Sequence, residues 1–320
     1  MVENNKYSAD IEKNKTLGIL SSRHSIVKAI VHHHSSKPFK KIGLTCKESP
    51  EARKFYLDLL RAIGFTTFLP DLIKEIITMG EAIITFEGSW GPPKFLDPSN
   101  VVISLYEGQE EHVEYYVDPE IKTMVWQTPE NEKKNLLKTL DAYSIRQIEM
   151  DRPIDLSRSP NIKVMHPRRI TSTNPTAPRG VSYFEPILNK LIETETLKEK
   201  IISGQMQDYP NAIKKIRDTD KLLFDYAFPK NTANLENELK YLQDIVKFML
   251  REQIFTPAAM ARNFVNSSGL ILPVLEFDNI DLKNDVEYKM EIANLRAELG
   301  IDTPISAEAY AQKIRAELTR

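Results

Sequence analysis

Apolar residues recur at helical spacing through the first quarter of the chain. Ile26, Val27, Ile30 and Val31 share one face of a segment from 22 to about 36 that Pro38 closes, which predicts a short amphipathic helix. Ser49 and Pro50 introduce a second helix, whose stripe of Phe55, Leu57, Leu59, Leu60 and Ile63 stops at Gly64. A third carries Leu72, Ile73, Ile76 and Ile77 up to Gly80. The pattern then shortens. AIITFEG, KFLDP, VVISLYEG, VEYYVDP and TMVWQT are rich in β-branched and aromatic residues and are bounded by Gly, Pro or Asp, which predicts an antiparallel meander of about five strands. Residues 141–157 and IKVMHP at 162–167 continue in that style, so one α+β unit is expected from 23 to about 178. Residues 1–22 are polar and lack a firm period, and are expected as a flexible arm, ordered only where a partner orders it.

From Gly180 onward the spacing is mostly helical. Ser182 with Glu185 three residues later reads as a capping box, and Leu188, Leu191, Ile192 and Leu197 extend the helix from about 183 to 206. Leu235, Leu239, Leu242, Val246 and Met249 alternate spacings of four and three, a seam suited to a facing helix or to a neighbouring subunit. Thr256 and Pro257 should kink or end that helix. A block at 284–299 ends at Gly300, and Pro304, Ser306 and Glu308 open a C-terminal helix.

Composition narrows the function classes. The chain has 320 residues, 41% hydrophobic and 28% charged, with 11 Gly and 19 Pro, so a folded chain with a sizeable core is expected. Its 43 Lys and Arg against 45 Asp and Glu give a net charge of −2, which offers no global field to hold DNA by its phosphates. A single cysteine, Cys46, builds neither an internal disulfide nor a thiolate zinc site and points to a reducing compartment. The N-terminus lacks a signal-peptide pattern, and no run of about 18 apolar residues exists, so no membrane partner is expected.

The usual carriers of chemistry are missing. No GxxxxGK(S/T) cradle, GxGxxG turn, HExxH or CxxC occurs, and no cofactor, metal site or catalytic residue is expected. Ser182 lacks the second glycine of a nucleophile elbow, and capping accounts for it. In the run His32, His33, His34, adjacent rings on a helix diverge, so the expectation is histidine at the negative end of a helix dipole rather than a metal site. His166 is expected as a satisfied structural histidine. Glu110, Glu111 and Glu114, or Asp278, Asp281 and Asp285, would serve a divalent-metal nuclease, and a solvated acidic face explains the same pattern. Lys214, Lys215 and Arg217 form the densest basic patch of the helical half, fit for phosphates, for an acidic protein or simply for water.

Several segments, in order, resemble those of bacteriophage portal (head-to-tail connector) proteins. SRHSIVKAIVHHHSSKPF and FLPDLIKEIITMGEAIITFEG resemble the family's N-terminal helices, the second running into a Gly-led strand. FLDPSNVVIS, IKVMHPRRI and APRGVSYFEPILNKL resemble its loop and strand, its next strand and its Gly-x-Ser helix start, here Arg179, Gly180, Ser182, Phe184, Glu185 and Pro186. The region from LPVLEFDNIDLKNDVEY to AEAYAQKI resembles the family's apolar strand, acidic turn, helix and final short helix. These segments are spread from residue 22 to residue 314 and hold roughly a third of the chain, and their order carries more than any one of them.

The resemblance implies a portal-like α+β fold, with a β-rich wing-type domain, long stem-type helices and a helical C-terminal region. It implies a homo-oligomeric ring, usually dodecameric, at one capsid vertex of the virion, assembled in the host cytoplasm. The ring would be the channel for packaging and ejecting double-stranded DNA. Its partners would be the large terminase, the major capsid protein and head-tail adaptor proteins. Residues 23–178 would be wing, 179–233 a stem helix and a small clip that includes Lys214, Lys215 and Arg217, and 234–265 a second stem helix or a kinked wing helix. Asn263, Asn266, Ser267 and Ser268 would belong to a tunnel loop, and 266–320 to the C-terminal strand and a crown. The stretch between the Gly-x-Ser helix and residue 234 is short for a clip between two stem helices, so either the clip is minimal or the second stem helix lies elsewhere. Near-zero net charge suits a conduit, since each neutralised phosphate would brake the moving DNA. Two other classes fit the residues: a carboxylate-metal nuclease, and a non-enzymatic helical adaptor or scaffold.

Overall fold

The computed structural model describes residues 5–88, 91–105, 111–117, 119–140, 142–159, 161–170, 177–205, 208–302 and 312. Its helices and antiparallel sheets form the α+β architecture expected from the sequence.

From Asn5 on, the N-terminal residues belong to the fold, where a flexible arm is expected. β1 (Asn5–Ser8) joins a sheet, and Asp10 caps α1 (Ile11–Arg23) by accepting from the Lys13 amide. Leu17 and Leu20 of α1 are buried. One apolar pair per two turns is a weak signal beside the polar residues around it, which is why the stretch reads as an arm. α2 (Ser25–Ser36) and α4 (Phe65–Met79) pack together as the apolar stripes predict, and β2 (Ile42–Thr45) and α3 (Pro50–Ala62) lie between them in sequence.

The expected meander is instead divided. β3 (Ile83–Glu87), β4 (Pro93–Leu96), β5 (Val101–Leu105) and β6 (Glu111–Tyr115) form as strands, but TMVWQT does not. It lies in α5 (Pro119–Gln127), where Ile121, Met124 and Val125 follow helical spacing and Glu120 sits in the first turn. α6 (Glu130–Leu137) follows, and the strand-like 141–157 holds α7 (Ala142–Met150) and only the two-residue β7 (Ile154–Asp155). With β8 (Ile162–Met165) the strands sort into a four-stranded sheet, β1-β5-β6-β7, and a three-stranded sheet, β4-β3-β8.

The alternation along β3 places the second sheet between two cores. Ile84 and Phe86 face the main core, whereas Ile83 joins Val101, Ile103, Val113 and Tyr143 in a smaller one.

The helical half packs on the main core. α8 (Leu188–Ile202) starts later than expected, after a 3-10 turn at Glu185–Ile187, and packs on α9 (Tyr209–Ala227). α10 (Ala233–Met249) runs into a π-helical stretch, Leu250–Phe255, and then α11 (Thr256–Arg262). Pro257 offers no N–H and its ring crowds the carbonyl four residues back, at Gln253, so a wider turn is the local accommodation. β9 (Val265–Asn266) and β10 (Gly269–Leu270) form an exposed hairpin, and β11 (Val274–Phe277) pairs with β2. Asp285 caps α12 (Val286–Glu298). α8 also ends at Ile202, short of the expected 206, and the C-terminal helix expected from Pro304 lies outside the described residues.

Leu17, Ile76, Leu188, Leu239 and Leu275 all belong to one core cluster, so all five expected regions of the chain contribute to it.

Candidate functional site

Gly80 ends α4 with φ +89°, a left-handed conformation that only glycine adopts without strain. This bend brings the chain against Gly180. A Cβ on Gly180 would stand 2.0 Å from the Gly80 carbonyl oxygen, and one on Gly80 would stand 2.4 Å from the Val181 carbonyl carbon. Two backbones therefore touch with no side chain between them. The contact is stitched by hydrogen bonds: the Arg169 amide donates to the Gly80 carbonyl at 2.7 Å, the Val181 amide to Arg169 at 2.9 Å and the Tyr183 amide to Ile77 at 3.0 Å.

Charged side chains close the junction. Glu81, 3% exposed, lies 2.9 Å from His166 Nε2 and 2.5 Å from the Arg179 guanidinium, and accepts from the Gly180 amide at 3.0 Å. Burial works against its charge, but His166, Arg179 and the Gly180 amide together hold the carboxyl below its usual range. Arg179 also donates to the carbonyls of Val101 and Pro98, fastening the first strand sheet to the same point. On the other side, Arg169 makes a two-pronged pair with Glu238 of α10 and donates to the Val181 carbonyl.

Ser182 belongs to this clamp. Its hydroxyl donates to the Thr78 carbonyl at 2.6 Å and accepts from the Phe184 amide at 3.1 Å, and the residue is fully buried. The capping box does not form, because the Glu185 carboxylate reaches Lys13 of α1 at 3.0 Å. With its proton committed and no path to solvent, Ser182 is not placed to attack a substrate. The junction can fix the relative positions of α4, β3, β8, α10 and the approach to α8.

The remaining predicted residues lie elsewhere. Lys214 and Lys215 are exposed on α9, where Lys215 pairs with Glu193 of α8, and Arg217 lines a shallow cleft of about 400 Å³ with Lys221 and Asp302. Asn263 ends α11 in the left-handed region, with φ +53°. Asn266, Ser267 and Ser268 make the tip of the β9–β10 hairpin, where Asn266 donates to Glu48. Leu235, Leu239, Leu242, Val246 and Met249 are all buried in this chain's own core, so that seam is not offered to a neighbour.

His33 and His34 do not act as cations on the α2 dipole. Burial pushes His33 down to about 4 and His34 down to about 3, and Phe228, Tyr183 and Tyr288 pack edge-on or tilted against their rings. The carboxylates weighed for metal binding are spent locally. Asp285 caps α12 and pairs with Lys37, Asp281 accepts from Asn284, and Asp278 accepts from the Lys41 amide. Glu110 lies outside the described residues, among which no group of three or more His, Cys, Asp or Glu gathers as for a metal ion. Among them, too, no helix is long and apolar enough to cross a membrane.

No protein-family model matches the chain, and no curated protein does. Among solved structures it is similar to a chain of the virion of a native gene transfer agent (GTA) particle, at 12% identity and a TM-score of 0.42, over 94% of this chain and 92% of that one. It is also similar to a chain in the neck of an empty GTA particle computed with C6 symmetry, at 11% identity and a TM-score of 0.46, over 94% and 93%. A third similarity is to a chain in the neck of the native particle computed with C12 symmetry, at 12% identity and a TM-score of 0.28, over 94% and 92%.

Sequence reasoning picked out Arg179, Gly180 and Ser182 but missed Glu81, Arg169 and Glu238 as their partners. A signal for Glu81 was present: a lone carboxylate in the apolar run MGEAIITF has to find cations once that run is buried. Nothing comparable marks Glu238, one of several acids on α10.

Proposed function

We propose that this chain is the subunit of a portal ring at one vertex of a virus-like capsid. The ring is the channel through which double-stranded DNA is packaged and ejected, and it receives the terminase first and neck or tail proteins later. One observation carries the reading. Three of the segments that resemble the portal family, at 68–88, 162–170 and 177–191, meet at the Gly80–Gly180 junction, although the first lies far in sequence from the other two. Motifs that recur in order and also converge on one rigid joint fit a shared framework better than chance patches of helix and strand.

In this reading the joint fixes the strand-bearing wing to the helices that follow Gly180. A ring that withstands DNA moving through it needs such a fixed angle, and charge pairs closed inside the chain supply it. The subunit carries no catalytic role of its own. Lys214, Lys215 and Arg217 face docking proteins, and the β9–β10 hairpin with Asn263, Asn266, Ser267 and Ser268 points toward the channel.

Native mass spectrometry with negative-stain imaging of the purified chain tests this. The expected result is a closed particle with a central hole near 440 kDa, about twelve times the 36.8 kDa chain. A monomer or dimer that cleaves DNA with Mg²⁺ would transfer the protein to the nuclease class.

A further inference from the structure

A cavity of about 350 Å³ lies where β8, the edge strand of the three-stranded sheet, meets β6 and the π-helical stretch that follows α10. Val113, Ile162 and Val164 give it apolar walls. Most of β8 is only half-buried, so solvent reaches the space. Sites that hold small organic molecules begin at about 300 Å³.

Its polar groups are unevenly matched. His166 is bonded to Glu81, and Ser157 Oγ accepts from the Val113 amide at 2.8 Å. Gln253 is different: its Oε1 is buried and has no hydrogen-bond partner in the chain. A buried acceptor of this kind is costly and calls for a donor. Gln253 also stands in the π-helical turn, a local widening of the backbone that recurs at functional sites. Lys163 brings the complementary need. It lines the same cavity, no carboxylate of the described residues does, and burial pushes its amine down to about 8. An anion seated beside it would hold the ammonium charged.

We infer that this cavity binds a small hydroxylated phosphate monoester, with its phosphate on the Lys163 ammonium, a hydroxyl donating to Gln253 Oε1 and its carbon skeleton against Val113, Ile162 and Val164. A carboxylate is the planar partner of arginine, whereas a lysine point charge suits the three oxygens and near-double charge of a phosphate. The space is roomier than a bare oxyanion needs, which points to a polyol or sugar phosphate. Bound there, the ligand would tie β8 to the helical stretch after α10. The site stands apart from the ring reading and holds whether or not a ring forms.

Calorimetric titration of the full chain with glycerol phosphate, inorganic phosphate and glycerol tests this, with thermal melts of the same samples. Glycerol phosphate should bind saturably and raise the melt, inorganic phosphate should bind more weakly, and glycerol should not bind. Lys163→Met should weaken the binding of both phosphates about tenfold or more, and Lys163→Arg should restore most of it. Gln253→Leu should weaken glycerol phosphate and leave inorganic phosphate unchanged. Affinity should hold up to about pH 8 and then fall about tenfold per pH unit as the ammonium is lost, the phosphate staying ionised throughout. The unliganded melt of each variant shows that it folds. Failure of glycerol phosphate to bind, or undiminished binding by a folded Lys163→Met chain, would overturn the site. Equal binding of both phosphates, indifferent to Gln253→Leu, would reduce it to an adventitious ion only and overturn the assigned ligand.

Discussion

Gly180 has less room even than Gly80, since its missing Cβ would overlap the Gly80 carbonyl. Gly180→Ala has to push apart a pair of backbones held by several hydrogen bonds, and a urea melt should show a loss of about 3 kcal/mol or more. A melt superimposable on the native one would show that the joint yields. The buried histidines make a second residue-scale prediction. An imidazole in the unfolded chain titrates near its ordinary value of 6.5, whereas the fold pushes His33 to about 4 and His34 to about 3. Below pH 6.5 the unfolded state takes up protons that the folded state refuses. Stability is therefore full above about pH 6.5 and falls as pH drops toward 4, by up to about 2.7 kcal/mol per pH unit for the two rings together. Denaturant melts at stepped pH should show this slope, and His34→Phe should reduce it. The sequence showed the three histidines plainly but not their burial, because that depends on Tyr183, Phe228 and Tyr288 arriving from far along the chain.

At the scale of elements, long amphipathic helices were legible and short segments were not. α3, α4 and α10 carry enough turns for spacing to decide. The nine residues of α5 satisfy a β-composition as well as a helical one, and only their packing selects. α1 was missed for a related reason, since its two core leucines are diluted by polar neighbours. Its contribution is measurable. A chain lacking residues 1–22 loses the burial of Leu17 and Leu20, the Lys13–Glu185 pair and the strand that pairs with β5. Thermal or urea unfolding of that truncation should report about 4 kcal/mol or more of lost stability. An unchanged midpoint would return these residues to the role of an arm.

For the whole molecule, the order of motifs was readable and their convergence was not. Nothing local in MGEAIITF says that its glutamate will meet Arg179 nearly a hundred residues on; that pairing exists only once strands, bend and core have placed both ends. The expected seam on α10 shows the same limit from the other side. Its spacing was read correctly, yet spacing cannot say whether the facing surface belongs to the same chain, and the core claims it here.

The glycine contact also sets how the protein can change over generations. Where a large residue crowds a core, a smaller one opposite can restore the fit. Gly80 and Gly180 are already the smallest residue there is, so damage at one has no remedy at the other. Suppressors of Gly180→Ala must instead arise among the groups that draw the two strands of backbone together, such as Arg169, Glu81 and Arg179. The two positions are thus bound to a common fate: a lineage keeps both glycines or rebuilds the joint.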